Sequence, residues 1–427
     1  MKNVLLLAYY FPPIGGAGVQ RAVKFVKYLP DFDWLPTVVT GPGTGRDRWA
    51  PADATLGHDV GSGVPVRRTS GPEPPRSAGS RARAERWLRL TTPFSEWWTS
   101  GCVAAGQANA SGIDAIVATM SPFETAAAAA SLAALLGRPW VADLRDPWAL
   151  DEMTVYPSRI HRRLELRRMR YALSSAAAVV MNTPEAAARL VRSFPEFGAR
   201  AVVIPNGFDK DDFSDQPPKR DDTAFRIVHA GYLHTELGGP PSLARRVLGG
   251  GVVGVDIGAR SHLHLLEAIA RIRARRPKLA EQIEVHLAGV VSDSDRATLT
   301  DPSVREHGYL SHAETVSLMQ SADLLFLPMQ DLPPGVRATI VPGKTYEYLA
   351  AGPPILGAVP AGDARDLLTA AGGAVVCDPR DVAGMAEAIV SLIEGGRADP
   401  RDPEVVEQFE RRRLTGRLAG VLDSVCA

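Results

Sequence analysis

The chain has 427 residues, enough for two or three domains of roughly 150 residues each. Apolar residues make up 45% and charged residues 22% of the sequence, a balance that is too apolar for a disordered protein. The 48 basic and 48 acidic residues leave no formal net charge, which argues against a dedicated nucleic-acid-binding protein.

The N-terminal apolar run and the cysteines favour a cytoplasmic protein. Val4 to Ala8 is too short for the core and cleavage site of a signal peptide, so we expect a buried first strand. No stretch approaches the roughly 18 apolar residues that span a bilayer, which leaves only peripheral membrane contact. Cys102, Cys377 and Cys426 follow neither metal-binding nor redox spacing, so we expect reduced thiols.

Short β-rich segments alternate with longer helical segments, as in parallel sheets covered by helices on both faces. The predicted strands and helices of the first half are 4–9, 19–29, 115–119, 124–136, 177–181 and 185–191. Those of the second half are 227–231, 262–272, 283–288, 313–319, 324–328 and 344–351. The pattern predicts an α/β protein with two Rossmann-like, doubly wound parallel sheets.

Breaks in this rhythm predict the domain boundaries. We expect an N-terminal domain at 1–205, a polar linker at 206–222, a C-terminal domain at 223–400 and a final segment at 401–427. The final segment carries one apolar helical stripe and is predicted to be a helix from Pro403 to Val425. Two Gly-rich insertions, Thr44 to Ala84 and Thr235 to Gly258, predict mobile loops.

A glycine loop containing Gly15, Gly16 and Gly18 separates the first predicted strand from the first helix. In that position backbone N–H groups can bind an anion at the helix N-terminus. The dinucleotide fingerprint does not fit, because Arg21 occupies the third glycine position and the second strand ends at Thr40 without an acid. The loop is therefore a candidate anion site, with a tight strand-to-helix turn as the alternative.

A second loop, at Gly343, Lys344 and Thr345, opens a predicted helix that also carries Glu347. A P-loop is disfavoured because Ala338 stands where its first glycine is required. The helix N-terminus and the Lys344 charge could instead bind a diphosphate, and Glu347 could accept hydrogen bonds from ribose hydroxyls. The alternative is a solvent-facing Lys and Glu on an amphipathic helix.

Segments of nearly the whole chain resemble, in order, the retaining nucleotide-sugar glycosyltransferases of the GT-B fold, glycosyltransferase family 4 or group 1. The segments are the N-terminal glycine loop, Trp140 to Trp148, Val203 to Gly207, Val228 to Gly231, His307 to Leu310, Ser321 to Asp323 and the helix that carries Glu347.

The resemblance implies two Rossmann-like domains that face each other across a cleft, with the last helix crossing back to the first domain. Glu347 would hold the donor ribose, and Gly343 to Thr345 would approach the diphosphate beside Gly231. Tyr309 and Leu310 would meet the base through their backbone, and Gly15 and Gly16 would close over the phosphates from the other domain. Closure would exclude water from an easily hydrolysed bond.

The chain departs from the family pattern at two positions. Thr339 stands eight positions before Glu347, where the family has an acid that grips the transferred sugar. The basic pair that usually follows Gly231 is displaced by the second insertion. We expect Arg260 and Lys344 to replace it and to stabilise the leaving diphosphate together with helix N-termini, without a metal. Asp293-Ser294-Asp295 resembles a D-x-D metal motif, but we interpret it as a solvated turn.

Arg21, Arg145 and Asp146 are predicted to face the acceptor, with Asp146 orienting or deprotonating a hydroxyl. The alternative is a structural Arg–Asp pair near a buried Trp. The basic amphipathic helix from Arg159 to Arg170 could contact anionic lipid that carries a lipid-linked acceptor, or could be a solvated helix face.

The sequence therefore predicts a glycosyltransferase that moves a sugar from a nucleotide-diphosphate donor, by expectation a UDP-sugar, to an acceptor hydroxyl with retention. We expect a role in polysaccharide or glycoconjugate biosynthesis and no cofactor beyond the nucleotide sugar. The alternatives are a glycosyltransferase of secondary metabolism, a sugar-nucleotide epimerase on the same fold, and a non-catalytic sensor that binds the donor without turnover.

Overall fold

The computed structural model describes residues 1–44, 51–214, 216, 218–238 and 247–427. The described chain divides into two compact units. The first contains 1–206 with the stretches 247–251 and 411–427, and the second contains 207–238 and 252–410.

The first unit is built on a seven-stranded, all-parallel sheet with the order β3-β2-β1-β4-β5-β6-β7. Its strands are β1 Lys2–Ala8, β2 Trp34–Thr40, β3 Val66–Arg68, β4 Ala115–Met120, β5 Trp140–Leu144, β6 Ala178–Met181 and β7 Ala201–Val203. Alternate side chains of β1 enter separate apolar clusters, with Leu5 and Leu7 on one face and Val4 and Leu6 on the other. A sheet buried on both faces explains why β1 is a continuous apolar run.

Helices cover both faces of this sheet. They are Ala17–Tyr28, Gly79–Leu88, Pro93–Ala108, Thr125–Leu136, Arg159–Leu173, Pro184–Ser193 and Arg411–Cys426. Several begin where a side chain accepts the first free backbone N–H, as Thr92, Ser158 and Thr183 do. Such N-caps satisfy amides that the helix itself leaves unbonded.

The second unit has a six-stranded, all-parallel sheet with the order β10-β9-β8-β11-β12-β13. Its strands are β8 Phe225–Ala230, β9 Ile283–Ala288, β10 Val304–Gly308, β11 Leu324–Pro328, β12 Ile355–Ala358 and β13 Ala374–Cys377. Its helices are Leu263–Arg275, Pro277–Ala280, Asp293–Arg296, His312–Gln320, Gly343–Ala351, Asp363–Ala371, Val382–Ile393 and Pro403–Glu407. The predicted α/β class with two doubly wound parallel sheets is confirmed.

The final segment corrects one prediction. The single helix expected from Pro403 to Val425 is two helices, Pro403–Glu407 in the second unit and Arg411–Cys426 in the first. The backbone is diverted between them, because Phe409 accepts a hydrogen bond from the Phe208 amide at 3.1 Å. Leu414, Leu418 and Leu422 of the longer helix are fully buried in an apolar cluster of the first unit.

The insertion at Thr44 to Ala84 contains more structure than a mobile loop. Its residues 45–50 lie outside the described residues, but Val66–Arg68 forms β3 and pairs with β2 in register Val38 with Val66. Three residues at a sheet edge carry too short an alternation to be predicted from sequence. In the insertion at Thr235 to Gly258, residues 239–246 lie outside the described residues.

A buried ion pair connects three elements of the first unit. Arg21, only 1% exposed, donates from Nη2 to the Asp143 carboxylate at 2.6 Å and from Nε to both of its oxygens at 3.0 Å. The same guanidinium donates to the carbonyl oxygens of Ile204 at 3.0 Å and Pro205 at 2.7 Å. Arg21 therefore ties the first helix to β5 and to the segment that follows β7.

We expect Arg21→Ala to lower the free energy of unfolding of the first unit by about 3–5 kcal/mol, because it leaves the Asp143 carboxylate buried without its cation. The measurement is urea unfolding followed by tryptophan fluorescence. The control is Arg412→Ala, since Arg412 pairs with Asp31 at 2.8 Å but is largely exposed, and should cost less than about 1 kcal/mol. Equal effects of both substitutions would contradict a structural role for the buried pair.

Candidate functional site

The carboxyl ends of β8, β9 and β10 meet in a closely packed set of glycine turns. Gly231 donates to the Ala288 carbonyl at 2.7 Å, and Gly289 donates to the Gly308 carbonyl at 2.7 Å. A Cβ atom on Gly289 would lie 2.6 Å from the Gly231 oxygen, so no side chain fits there. In a sheet with this strand order, the carboxyl edge beside the first strand is where ligands bind.

Lys344 lies directly over the turn that ends β8. It is the second residue of the Gly343–Ala351 helix, which begins after Pro342 without a side-chain cap, so its first amides have no capping partner from that residue. A Cβ atom on Gly231 would lie 2.7 Å from Lys344 Nζ, and Gly231 also has a φ of 114°. Glycine at 231 is required both by its backbone conformation and by the approach of the ammonium.

His229 accepts a hydrogen bond from the Lys344 ammonium. Its Nδ1 lies 3.0 Å from the Phe326 carbonyl oxygen, so Nδ1–H donates there, and Nε2 is left to accept from Lys344 Nζ at 3.1 Å. Burial, and then the Lys344 charge, hold the pKa of His229 well below its usual value. A neutral His229 is what this geometry requires, since an imidazolium could not accept a hydrogen bond. The sequence motif contained His229 but did not indicate this role.

The structure brings Arg260 close to Lys344. Desolvation, and then the Arg260 charge, lower the pKa of Lys344 from 10.5 to about 7, while Glu347 acts in the opposite direction. Arg260 follows the short turn Ile257–Ala259, and its carbonyl accepts a hydrogen bond from the His234 amide at 3.1 Å. Two cations are thus held at one end of the second sheet.

The side chains of Thr345 and Tyr348 face the interior. Thr345 is fully buried, so only its backbone can face a ligand, and its amide donates to the Pro342 carbonyl at 2.9 Å. The buried Tyr348 hydroxyl accepts a hydrogen bond from the Ala230 amide at 2.8 Å. This bond fixes the Gly343–Ala351 helix against the end of β8, immediately before Gly231.

Glu347 is one turn into the same helix and faces His312. Its Oε1 lies 4.0 Å from His312 Nδ1, while His312 Nε2 lies 3.0 Å from Asp212 Oδ2. His312 is the first residue of the His312–Gln320 helix, directly after the Tyr309 and Leu310 loop. The contact with Asp212 is within hydrogen-bond distance, whereas the separation from Glu347 is too long for a hydrogen bond. Sequence reasoning missed His312 and Asp212, which are 100 positions apart.

The predicted base loop borders open space. Tyr309 is 38% exposed, and Leu310 lines a cavity of about 930 Å³ together with His307 and Arg226. Thr339 is fully buried in the segment between β11 and the Gly343–Ala351 helix. A neutral hydroxyl, shielded from solvent, therefore lies at the position where the resemblance implies a carboxylate.

One backbone amide of the glycine loop in the first unit already has a hydrogen-bond partner within the protein. Gly15 donates its amide to the Pro51 carbonyl at 2.7 Å, which leaves that amide engaged. Gly16 precedes the Ala17–Tyr28 helix with a φ of 89°. A Cβ atom on Gly18 would lie 2.0 Å from Arg145 Nη1, so the glycine makes room for a guanidinium.

The three predicted acceptor residues have different environments. Asp146 has a side chain that is 56% exposed, and Arg145 Nε lies 3.6 Å from its Oδ2. The Arg145 guanidinium also lies over the Tyr10 ring at 5.3 Å. Arg21, by contrast, is buried against Asp143, so this arginine is a core residue of the first unit rather than a surface contact for an acceptor.

The D-x-D segment also differs from its prediction. Asp293–Arg296 is a single helical turn with a capping box, in which the Asp295 carboxylate accepts from the Ser292 amide at 2.8 Å and from its hydroxyl at 2.6 Å. Asp293 and Ser294 are exposed, as expected for a solvated turn, but Asp295 is fully buried. This acid caps a helix because its carboxylate satisfies the free amide.

Two family models match the sequence in the order of the two units. Residues 16–207 match a glycosyl transferase 4-like domain, and residues 252–395 match glycosyl transferases group 1. The chain belongs to the group 1 glycosyltransferases of the family 4 type. It is therefore a glycosyltransferase, and the residues at the carboxyl edge of the second sheet are considered below as parts of its site. Comparison with curated protein sequences found no match.

Solved structures show the fold of this glycosyltransferase. Anabaena Alr3699/HepE in complex with UDP and glucose matches with 16% identity and a TM-score of 0.61 over 99% of this chain and 100% of that chain. Sucrose-phosphate synthase from Thermosynechococcus elongatus matches with 13% identity and a TM-score of 0.59 over 100% and 96%. The trehalose 6-phosphate synthase from Burkholderia multivorans matches with 12% identity and a TM-score of 0.63 over 100% and 99%. The fold is GT-B.

We expect Lys344→Met to raise the thermal midpoint of the ligand-free protein. Because the pKa of Lys344 falls from 10.5 in the unfolded chain to about 7 in the folded one, the unfolded state binds more protons between these values. The contribution of Lys344 to stability therefore rises with pH across this window, and the buried cation is most destabilising below pH 7. The gain from methionine should be largest there and smaller at higher pH.

The measurement is differential scanning fluorimetry of both proteins from below pH 7 to pH 9. Lys278→Met is the control, since Lys278 is exposed on the Pro277–Ala280 turn and should change the midpoint little at any pH. A methionine variant that is less stable than the wild type below pH 7 would contradict the desolvated cation.

Proposed function

We propose that this glycosyltransferase transfers a sugar from a UDP-sugar to an acceptor hydroxyl with retention, in the biosynthesis of a polysaccharide or glycoconjugate at the cytoplasmic side of the cell. The observation that carries the proposal is the Lys344 ammonium held over Gly231 at the start of the Gly343–Ala351 helix. Free helix amides, a helix dipole and two neighbouring cations are what a diphosphate requires.

In the proposed reaction the bond between the anomeric carbon and the diphosphate oxygen breaks, and the nucleoside diphosphate leaves with the bonding electrons. Lys344 and Arg260 neutralise the charge that develops on the leaving oxygen, and the Gly343 amide adds a hydrogen bond. Thr345 contributes backbone shape to the turn, because its amide already donates to the Pro342 carbonyl. We propose that these fixed groups act without a metal or other cofactor.

The ribose and the base are proposed to bind along the same edge. Glu347 accepts hydrogen bonds from the ribose hydroxyls, and the backbone at Tyr309 and Leu310 contacts the base. The preference for uracil is supported by the Anabaena structure described in complex with UDP and glucose, which shares the fold of this chain.

The acceptor is proposed to bind the first unit. Asp146 offers an exposed carboxylate that orients or deprotonates the acceptor hydroxyl. Arg145 adds a positive charge 3.6 Å from that carboxylate, a distance too long for a hydrogen bond. Gly16 is proposed to offer its amide to an anion at the start of the Ala17–Tyr28 helix, whereas Gly15 contributes backbone shape because its amide already has a partner. Thr339 leaves the sugar subsite without the family acid, so donor-sugar preference is proposed to depend on neutral contacts there.

We expect UDP or a UDP-sugar to raise the thermal midpoint of the wild type, by the equivalent of about 2.7 kcal/mol when the ligand is at 100 times its Kd. The response should be lost in Glu347→Ala and in Lys344→Met. The panel also contains GDP, ADP and their sugar conjugates. Glu387→Ala, an exposed acid on the Val382–Ile393 helix, is the matched control and should respond like the wild type.

A thermal response to GDP or ADP alone would contradict the proposed preference for uracil, but it would still support the nucleotide-binding site. No response to any nucleotide would reject the donor-site assignment.

His312 is proposed to position Glu347 for the ribose. We expect His312→Leu to raise the donor KM about tenfold with a smaller effect on kcat, because the polar ring that lies 4.0 Å from the Glu347 carboxylate and is itself held by Asp212 is lost. In the Glu347→Ala background the same substitution should add almost nothing, since its effect acts through Glu347. Independent, additive effects in this double-mutant cycle would contradict the positioning role.

A further inference from the structure

Two helices of the first unit concentrate positive charge on a chain that has none overall. The helix Gly79–Leu88 with the residues up to Leu90, and the helix Arg159–Leu173, together contain ten arginines and two glutamates. Both glutamates are already engaged, Glu85 by Ser77 and Arg81, and Glu165 by Trp148 and Arg168. Arg168 and Arg170 pair with Glu124 and Glu196 of neighbouring elements. Four further arginines are exposed and form no ion pair among the described residues, namely Arg83, Arg86, Arg163 and Arg167.

The two helices pack against each other at one end. The Trp87 and His161 rings meet edge to face with centroids 5.0 Å apart, and His161 Nε2 lies 3.0 Å from the Trp87 carbonyl oxygen. Arg89 Nη1 lies 3.5 Å from the Glu165 carboxylate. The arginines of the first helix and those of the second therefore belong to one continuous surface.

The exposed stripe of the Arg159–Leu173 helix is set by helical spacing. Ile160, Arg163, Arg167 and Tyr171 recur every three or four residues, while Met169 on the opposite face is fully buried. Ile160 is 65% and Tyr171 83% exposed. Within the described chain, neither Arg163 nor Arg167 forms an ion pair, so the stripe offers two unneutralised guanidinium groups between apolar ends.

Large apolar side chains surround the junction of the two helices. Trp87, Leu88 and Leu90 are 49%, 68% and 55% exposed, and Ile160 is adjacent to the His161 that contacts Trp87. No residue of the Gly79–Leu88 helix is buried, so the described protein provides that helix with no core to pack on. Single exposed apolar residues are ordinary, but four beside a basic stripe indicate an interaction surface.

We propose that this surface, named here the basic apolar face and formed by Arg83, Arg86, Trp87, Leu88, Leu90, Ile160, Arg163 and Arg167, binds a bilayer that carries anionic headgroups. Guanidinium groups bind lipid phosphates, and leucine, isoleucine and tryptophan side chains enter the boundary of the acyl chains. A nucleic acid would engage the arginines but leave Leu88, Leu90 and Ile160 in water. Among the described residues no helix is long and apolar enough to cross a membrane, so contact of this kind is peripheral.

The test is co-sedimentation of the full chain with vesicles of phosphatidylcholine alone and of phosphatidylcholine mixed with phosphatidylglycerol. We expect binding to the mixed vesicles and little binding to the neutral ones, with a loss of binding as salt rises. The double substitution Arg163→Glu with Arg167→Glu should weaken binding to the mixed vesicles at least tenfold. Leu88→Ser with Leu90→Ser should also weaken binding to the mixed vesicles, because electrostatic attraction without insertion of apolar side chains gives weaker membrane binding.

The control is Arg271→Glu with Arg275→Glu on the Leu263–Arg275 helix of the second unit, which makes the same charge change at two exposed positions. These control substitutions should leave vesicle binding unchanged. Each variant should keep the thermal midpoint of the wild type and its response to nucleotide, which separates loss of the face from loss of the donor site.

Three results would overturn the proposal. The first is no binding of the wild type to mixed vesicles, and the second is equal loss in the control and in the Arg163 and Arg167 variant. The third is binding to single-stranded RNA without binding to vesicles, which would make the face a nucleic-acid surface. Failure of sugar transfer with every nucleotide sugar would leave this result untouched, because vesicle binding requires no catalysis.

Discussion

The second unit is organised around one desolvated ammonium group. Lys344 can lie at the end of β8 only because Gly231 has no side chain and because His229 offers a neutral acceptor nitrogen. That nitrogen is free to accept only while Nδ1 donates to Phe326, so the tautomer of one histidine is fixed by the carbonyl of the neighbouring strand. The Tyr348 hydroxyl then holds the helix against the strand end. Gly231, His229, Phe326 and Tyr348 therefore all contribute to the position of the Lys344 ammonium.

This arrangement is electrostatically unfavourable without an anion. Desolvation and Arg260 both oppose the charge of Lys344, and Glu347 only partly compensates. A desolvated cation beside a second cation destabilises a folded protein, and groups with strongly shifted pKa values are common at binding sites. A diphosphate would supply charge of the missing sign at the helix N-terminus, so the free energy lost on folding would be regained on binding. In this view nucleotide binding and proton uptake by Lys344 are coupled.

Much of the fold follows from local sequence, whereas the partners of the site do not. The strands β9 and β11 begin and end where the apolar runs predict, because parallel strands buried on both faces are continuous in hydrophobicity. Lys344 and Glu347 could be selected because a glycine precedes them at a helix start. The roles of His229 and His312 could not, since each depends on atoms from another strand or on Asp212, 100 residues away. The strand β3 could not be predicted for the same reason. Its three residues are too few for a hydrophobic pattern, and only their pairing with β2 makes them a strand.

The arginines of the first unit show why residue type alone misassigned Arg21. A glycine loop followed by an arginine suggests a ligand contact, yet burial places that guanidinium on Asp143 and on two carbonyl oxygens. A buried guanidinium needs all of these partners, because desolvation would otherwise exclude it. Arg163 and Arg167 are in the opposite situation, because both are exposed and neither forms an ion pair within the part of the chain that the structure describes. The chain has equal numbers of acidic and basic residues, so a local excess of arginine on one surface requires an excess of acidic residues on others. Solvation by water does not favour such a separation of charge. Binding to a negatively charged surface outside the chain does favour it.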